Sequence, residues 1–141
     1  MRSLNFNTGI KEFDINGDKN KIIRIDTTDI NLGQRIEKAQ KELEKIAKKY
    51  EIVVKSGKLE KKPFEVMTKY DKLVREQIDY MFDSPVSEIV FGNTNSLSVC
   101  GGNPLFENFL NAILPEIEND INEEQKNSAK RIEKYTSQVK R

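Results

Sequence analysis

Hydrophobic and polar positions alternate in two short runs near the N-terminus, residues 11–15 and 21–25. Alternation with a period of two is typical of a strand that buries one face. Asn16-Gly17 follows the first run, and both residue types tolerate a positive φ, so the pattern predicts a β-hairpin with a loop of four or five residues. The apolar residues expected to face one another are Phe13 and Ile15 on one strand and Ile23 and Ile25 on the other.

Two longer segments repeat their apolar residues every three or four positions, which predicts helices with one buried stripe. The first helix is expected to begin after the N-capping residues at 27–31 and to end near Tyr50. The Lys-rich stretch VVKSGKLEKKP, residues 53–63, is interpreted as a linker, and Pro63 begins the second helix. The predicted stripes are Leu32, Ile36, Ala39, Leu43, Ile46 and Tyr50 in the first helix, and Phe64, Met67, Tyr70, Val74, Ile78 and Met81 in the second.

A short third helix is predicted between Ser84, as its N-cap, and Gly92, with Pro85 at the first helical position and the side chains of Val86, Ile89 and Val90 on one side. A loop with a short strand over Leu97 to Cys100 follows.

Asn103-Pro104 is expected to begin a fourth helix in the same cap-then-proline manner. Pro115 interrupts its apolar face, and a continuous kinked helix is favoured over two helices because Leu114 is a poor N-cap. The fourth stripe is the densest in the chain: Leu105, Phe106, Phe109, Leu110, Ile113, Leu114 and Ile117.

These elements predict a mainly helical α+β fold, in which an N-terminal β-hairpin packs on a bundle of three or four helices. We expect a single domain over residues 1–141, with a hairpin region at 1–26, a helical core at 27–124 and a charged extension at 125–141. Two outcomes stay open for the extension: it frays, or it becomes ordered against a partner. Its apolar residues are Ile132, Tyr135 and Val139.

The composition argues against most kinds of catalytic site and against binding to nucleic acid or a membrane. The chain has 24 Lys and Arg against 23 Asp and Glu, so a net charge of +1 creates no field that attracts nucleic acid or an anionic membrane. It contains no histidine and a single cysteine, Cys100, which is expected to be a half-buried structural residue and not a nucleophile. The N-terminus resembles no signal peptide, and no segment is apolar for long enough to span a membrane, so a cytoplasmic protein is expected.

Two motifs suggest ligand sites only at first sight. Asp14, Asn16 and Asp18 have the spacing of a calcium loop, but the Gly and the bidentate Glu of such a loop are replaced by Lys19 and Ile25. Gly101-Gly102 precedes a predicted helix start but lacks the surrounding pattern of a phosphate-binding loop, so a tight turn is the better interpretation. We therefore expect no catalytic residue, no metal and no cofactor.

Acidic and basic residues alternate along most of the chain, and the basic C-terminal stretch carries one aromatic residue, so a nucleic-acid interface is not expected. Of the function classes considered, binding to another protein remains, because helices with wide apolar faces can bury an amphipathic segment of a partner. The alternative is that the stripe of the fourth helix lies within the core of the domain itself.

The segments VREQIDYMFD, SEIVFG and NPLFENFLNAILPEIE resemble the small tail assembly chaperones of phages and prophages of Gram-positive bacteria. The likeness is best over residues 71–118 and holds for the N-terminal third only in outline. The Lys-rich linker and the charged C-terminal extension depart from the family pattern. The resemblance implies a non-enzymatic protein that binds the helical tape-measure protein and assists the assembly of tail-tube subunits around it.

From this resemblance and the apolar pattern we expect a groove that captures helical segments of the client. An adaptor or structural subunit that stays in the tail particle is the alternative function, and self-association into a homo-oligomer is left open. The residues expected to contact the partner are Phe82, Val90, Phe91, Leu105, Phe109 and Ile113.

Overall fold

In the residues that the structure describes, a β-hairpin is followed by four helices, with a second, very short hairpin before the last of them. The computed structural model describes residues 1–57 and 62–139, with side chains to residue 134 and at Thr136. The strands are β1 (Ile10–Ile15), β2 (Asp18–Asp26), β3 (Val99–Cys100) and β4 (Asn103–Pro104), and the helices are α1 (Ile30–Lys55), α2 (Pro63–Phe82), α3 (Val86–Phe91) and α4 (Leu105–Val139). The predicted α+β, mainly helical fold is confirmed.

The N-terminal hairpin is antiparallel, and Phe13 pairs with Ile23. The other expected pairing was wrong, because Ile15 pairs with Asp18 and Ile25 with Lys11. The turn of the hairpin is tighter than expected, because Asn16 and Gly17 alone connect the strands, with φ of 54° and 81°. This two-residue connection requires positive φ at both positions, which the Asn-Gly pair supplies. The predicted loop of four or five residues was therefore wrong. A register shift at Asp14 and Ile15 takes up the additional residues of β2.

Helix α1 buries four residues of its predicted stripe, Leu32, Ala39, Leu43 and Ile46. Asp29 is the N-cap, and its side chain accepts a hydrogen bond from the Asn31 backbone N–H at 3.0 Å. The helix continues to Lys55, so the linker does not begin at residue 53 as predicted. The reason is that Ser56-Gly57, with Gly57 at φ 78°, is the first sequence that ends the helix. Residues 58–61 of the predicted linker lie outside the described residues.

Helix α2 runs antiparallel to α1, since Tyr50 packs edge-to-face on Tyr70 at 5.4 Å while Arg35 donates to the Met81 carbonyl at the other end. Pro63 begins α2 as predicted. Phe64 was expected in the buried stripe and is instead 81% exposed. It lies in the first turn of α2, where the half-buried residues are Pro63, Val66 and Met67.

Helix α3 is capped from a neighbouring helix. The carboxylate of Asp79 accepts hydrogen bonds from the backbone N–H and the hydroxyl of Ser87, at 2.8 and 3.0 Å. The predicted Ser84 cap was wrong, and the helix starts one residue later than expected, after Pro85. Its buried residues are Val86, Ser87 and Phe91, with Ile89 and Val90 half-buried, so the short helix is covered on more than the one predicted side. Gly92 ends it as expected.

Helix α4 is a single helix that passes through Pro115, as predicted. Asn103 and Pro104 do not begin it, because they pair with Cys100 and Val99 as strand β4. Gly101 and Gly102, at φ 65° and 87°, make the turn of this second hairpin, which confirms the tight turn expected there. The predicted strand over Leu97 to Cys100 is shortened to its last two residues.

The buried residues of all four helices and of strand β2 form one hydrophobic cluster. Helix α3 contacts both α2 and β2, and so connects the hairpin to the helices. Among the α4 side chains that the structure describes, the buried ones lie in the first half of the helix and end at Ile117. The buried apolar residues are Ile23, Ile25, Leu32, Ala39, Leu43, Ile46, Tyr70, Val74, Ile78, Met81, Phe82, Val86, Phe91, Leu97, Phe106, Leu110, Ile113 and Ile117.

Candidate functional site

A groove of about 460 Å³ separates the N-terminal hairpin from the first half of α4, with the end of α3 at its base. This volume is within the range of pockets that bind organic ligands or side chains of a partner. Most of its lining is apolar, and the polar residues lie at four positions. The lining residues are Phe13, Asp14, Ile15, Asn16, Ile23, Val90, Phe91, Leu105, Asn108, Phe109, Ala112, Ile113 and Glu116.

The hairpin forms one wall of the groove because its register places Phe13 beside Ile23. Ile23 is buried in the core, whereas Phe13 and Ile15 are only half-buried. The turn after Ile15 is held by Asp14, whose Oδ1 accepts the Gly17 backbone N–H at 3.0 Å. The short turn therefore also positions Asp14, Ile15 and Asn16 at the end of the hairpin wall of the groove.

The base of the groove is built on Phe109 of α4. Its ring packs edge-to-face on Phe82 and on Phe91, each with ring centroids 6.0 Å apart. Such pairs contribute about 0.5–1.5 kcal/mol beyond the burial of their area. Phe109 is nevertheless only half-buried, so part of its ring faces the groove while the rest is locked by the two neighbouring rings.

A polar network holds the loop between α3 and β3 against α2. Arg75 donates to the Gly92 and Thr94 carbonyls at 2.8 and 2.7 Å, and its Nε lies 3.1 Å from both carboxylate oxygens of Asp71. Asp71 Oδ1 also accepts the backbone N–H and the hydroxyl of Ser96, at 2.8 and 2.7 Å. The sequence predicts the Asp71–Arg75 helical pair from its spacing of four residues, but not its contacts with the loop.

This loop in turn determines where α4 begins. The Ser98 and Ser96 carbonyls accept the backbone N–H groups of Leu105 and Phe106, at 2.8 and 3.0 Å. The first N–H groups of a helix have no partner within the helix, so these two bonds satisfy donors that would otherwise be free. Because Asp71 holds Ser96, one carboxylate on α2 helps to position the α4 wall of the groove.

The rim of the groove is polar and carries two carboxylates, Asp14 and Glu116, together with Asn16 and Asn108. Lys19 donates to Asp14 Oδ2 at 2.6 Å. This hydrogen bond, together with the one from Gly17, lowers the pKa of Asp14 below its ordinary value and keeps the carboxylate ionised. Because Lys19 compensates the charge of Asp14, Glu116 is the rim carboxylate that suits an amphipathic segment with a basic residue at the edge of its apolar face.

Five of the six predicted partner-binding residues line this groove: Val90, Phe91, Leu105, Phe109 and Ile113. The sixth, Phe82, lies behind Phe109. Phe82, Phe91 and Ile113 are buried, so the accessible apolar surface comes from the half-buried members of the set.

Sequence reasoning missed the hairpin residues of the groove, and also Asn108, Ala112 and Glu116 of α4. The three α4 residues lie three or seven positions from Leu105 and Phe109, so helical spacing alone could have identified them. The hairpin residues gave no such signal, because their contact with α4 joins distant parts of the chain.

Other sequence candidates lie elsewhere. Cys100 was expected to be half-buried and is exposed, because it sits beside the turn of the β3–β4 hairpin. The Asp14 carboxylate of the calcium-like motif is engaged by Gly17 and Lys19. In the described part of the chain, no group of three or more His, Cys, Asp or Glu side chains is placed to hold a metal ion. None of the helices in residues 1–57 and 62–139 has the length and apolar character needed to cross a membrane.

Comparison with known proteins gives a family and no neighbour of known structure. No curated protein and no solved structure matches the chain. Residues 18–141 match the family described as "Family of unknown function (DUF6673)", and this match includes β2 and all four helices. The chain therefore belongs to the DUF6673 family.

Proposed function

We propose that this protein is a non-catalytic tail assembly chaperone of a phage or prophage, which binds an apolar helical segment of the tape-measure protein in the groove between its hairpin and α4. The observation that carries the proposal is the groove itself, with its apolar base and acidic rim. The sequence resemblance to tail assembly chaperones is best over residues 71–118, which include α3 and the part of α4 that lines the groove.

The groove favours an amphipathic helix over an extended strand as its occupant. Its α4 wall presents Leu105, Phe109 and Ala112, which are spaced four and three residues apart and lie on one side of the helix. Helices recognise such faces by inserting residues spaced three, four and seven apart. Strand addition would use the backbone edge of the two-stranded hairpin, whereas the groove is lined by side chains of β1, β2, α3 and α4.

The rim adds a preference for basic clients. Asp14 and Glu116 lie on opposite sides of the groove, one on the hairpin and one on α4. Asp14 is already paired with Lys19, so a helix in the groove would place a Lys or Arg residue toward Glu116 at the edge of its apolar face. Charge pairs at the rim of an interface contribute to orientation and association rate more than to affinity.

The proposed work of the protein is to cover apolar surface of the client in the host cytoplasm until tail-tube subunits assemble around it. No bond is made or broken in this role. The alternative is an adaptor or structural subunit that stays in the finished particle. Mass spectrometry of purified particles distinguishes the two, because a chaperone leaves no stoichiometric peptides in the mature tail.

Co-expression tests the groove. The chain is expressed with a phage tape-measure protein as the client, and the soluble fraction of that client is measured. Ala112→Arg is the main variant, because Ala112 is exposed on the groove and its replacement fills the space without disturbing the core. Phe109→Asp is the stronger variant, since it also breaks the aromatic cluster. Phe64→Asp is the matched control, because Phe64 is exposed on α2 away from the groove.

We expect the wild type and Phe64→Asp to keep the client soluble, and Ala112→Arg to lose most of this effect while its circular dichroism spectrum stays unchanged. Equal client solubility with Ala112→Arg and with wild type would contradict binding in the groove. Equal solubility without the chain would contradict the chaperone role altogether.

A further inference from the structure

The second half of α4 extends away from the rest of the molecule. Among the α4 side chains that the structure describes, Ile117 is the last buried one and every one from 121 to 134 is exposed, while the helix continues to Val139. Residues 118–139 correspond to a rod of roughly 33 Å at 1.5 Å per residue. A helix that is solvated on all sides gains little stability from packing, so such a length suggests a surface that is covered by something else.

One face of this projecting helix carries an apolar seam. Ile121 and Ile132 are 37% and 56% exposed, and eleven residues of an α-helix bring them to within roughly 20° of the same direction. Gln125 and Ser128 lie between them on that face, and the resulting spacing of four, three and four residues is the heptad spacing of a coiled coil. The seam starts one turn after the buried Ile117 and continues the stripe that packs the first half of α4.

Charge separates the projecting helix into two blocks. Residues 116–124 contain five acidic side chains and no basic one, whereas residues 126–134 contain four basic side chains and one acidic. Two copies in parallel would set like charges against one another along the whole contact. In an antiparallel pair, the acidic block of each copy faces the basic block of the other, which is the favourable arrangement.

We propose that two copies of this chain pair through the projecting halves of α4 as an antiparallel coiled coil. In the register that aligns the two seams, Ile121 packs against Ile132 of the partner subunit, and this pair occurs twice. Gln125 then meets Ser128 of the partner subunit in the middle of the contact. Polar residues at such central positions select register and orientation at some cost in stability.

The same register specifies one charge pair. Glu124 and Arg131 each directly precede a residue of the seam, so they lie on the same side of it. In an antiparallel coiled coil, residues at this position of one helix lie beside residues at the same position of the other helix. Glu124 therefore lies beside Arg131 of the partner subunit, and the symmetry of the pair repeats this contact. In a parallel pair, Glu124 would instead lie beside Ala129 of the partner subunit and form no charge pair. The Glu124–Arg131 contact thus distinguishes the two orientations.

Sedimentation equilibrium of the full chain is the first test. Because the contact has only two isoleucine pairs, we expect a concentration-dependent equilibrium, in which the mass rises from 16.3 kDa toward twice that value. Added salt should weaken the pair, because opposite charges contribute to it. Ile121→Asn and Ile132→Asn should each remove the association. A wild type that stays monomeric up to near-millimolar concentration would overturn the proposal.

A charge swap tests the orientation. Glu124→Arg alone and Arg131→Glu alone place like charges together at both ends of the seam, and each should weaken association at least tenfold. The double variant Glu124→Arg with Arg131→Glu restores opposite charges and should recover wild-type association. Glu37→Arg on α1 is the matched control, because it makes the same charge change at an exposed site outside α4. A double variant that stays as weak as the single variants would overturn the antiparallel register.

All these substitutions lie on solvent-exposed helix surface, so circular dichroism should show an unchanged fold for each. The test is independent of the groove. If the protein keeps its client soluble but stays monomeric, the proposed function stands and the proposed dimer is wrong. If the protein dimerises but does not bind a client, the proposed dimer stands and the proposed function is wrong.

Discussion

Replacing Asp71 by alanine should destabilise the protein far more than removing an ordinary surface carboxylate. The side chains of Asp71 and Arg75 are only 19% and 20% exposed, and the Asp71 carboxylate accepts two hydrogen bonds from Ser96 in addition to the contact with Arg75. Alanine at position 71 leaves the Ser96 N–H and hydroxyl without their acceptor and leaves the Arg75 guanidinium without its counter-charge.

The size of the effect follows from these contacts. A hydrogen bond to a charged group contributes about 1.5–3 kcal/mol, and bonds that share one carboxylate do not add fully. We therefore expect Asp71→Ala to lower the free energy of unfolding by about 3 kcal/mol, because two such bonds and a half-buried ion pair disappear together. Asp71→Asn keeps an oxygen that can accept from Ser96, so its loss should be about half as large.

Urea denaturation followed by circular dichroism measures these differences. Glu37→Ala is the matched control, because Glu37 also pairs with a cation four residues away, Lys41, but both side chains are about 70% exposed. Pairs of this kind contribute about 0.3–0.5 kcal/mol. Hydrogen exchange should also increase at the Leu105 and Phe106 amides in Asp71→Ala, since these donate to the loop that Asp71 holds. A loss for Asp71→Ala no larger than for Glu37→Ala would refute the reasoning.

Further predictions concern the hairpin and the glycines. Gly17→Ala should lower the free energy of unfolding by about 1 kcal/mol in urea denaturation, because Gly17 has φ 81° in the turn. Gly33→Ala in α1 should raise the free energy of unfolding by about 0.5–1 kcal/mol, since a methyl group there meets nothing within 4 Å. Equal effects of the two substitutions would contradict this assignment. Lys19→Met should raise the pKa of Asp14 toward its ordinary value near 3.8, as measured by NMR titration of the carboxyl group, because Lys19 is the main cause of the lowered value. The pKa of Asp14 is lower in the folded state than in the unfolded state. The Asp14–Lys19 contact therefore stabilises the fold fully at pH values above the ordinary pKa, and this stabilisation is lost as the pH falls through the lowered pKa. A titration midpoint that is unchanged in Lys19→Met would contradict the pairing.

The sequence predicts the helical stripes well because their signal is local. Leu32, Ala39 and Leu43 in α1, and Val74, Ile78 and Met81 in α2, are all buried as expected. A period of 3.6 residues can be recognised in the sequence whichever element covers the stripe. At the end of a helix the same rule fails. Phe64 continues the spacing of the α2 stripe but lies in the first turn of the helix and is exposed.

Boundaries were less predictable for a related reason. The sequence Asn103-Pro104 is typical of a helix start, yet the Gly101-Gly102 turn pairs these two residues with β3 and delays α4 until Leu105. Ser84 offers a good cap for α3, but Asp79 from α2 occupies that role through Ser87. In each case a contact between elements replaced a local preference.

The groove illustrates the same limit. Its α4 wall follows from the dense stripe that contains Leu105, Phe109 and Ile113. Its second wall is the hairpin, and the approach of Phe13 to α4 joins residues almost a hundred positions apart. No periodicity within either segment encodes that approach, so the sequence indicates a binding face but not the groove.

The central claim is that another polypeptide binds between the hairpin and α4, and site-specific photo-crosslinking tests it most directly. A photoreactive phenylalanine analogue is introduced at Ala112 inside the groove or at Thr68 on the exposed face of α2, and each variant is co-expressed with a phage tape-measure protein as the client. The account predicts a crosslink to the client from position 112 and none from position 68. Crosslinking from position 68 alone, or equally from both positions, would contradict it.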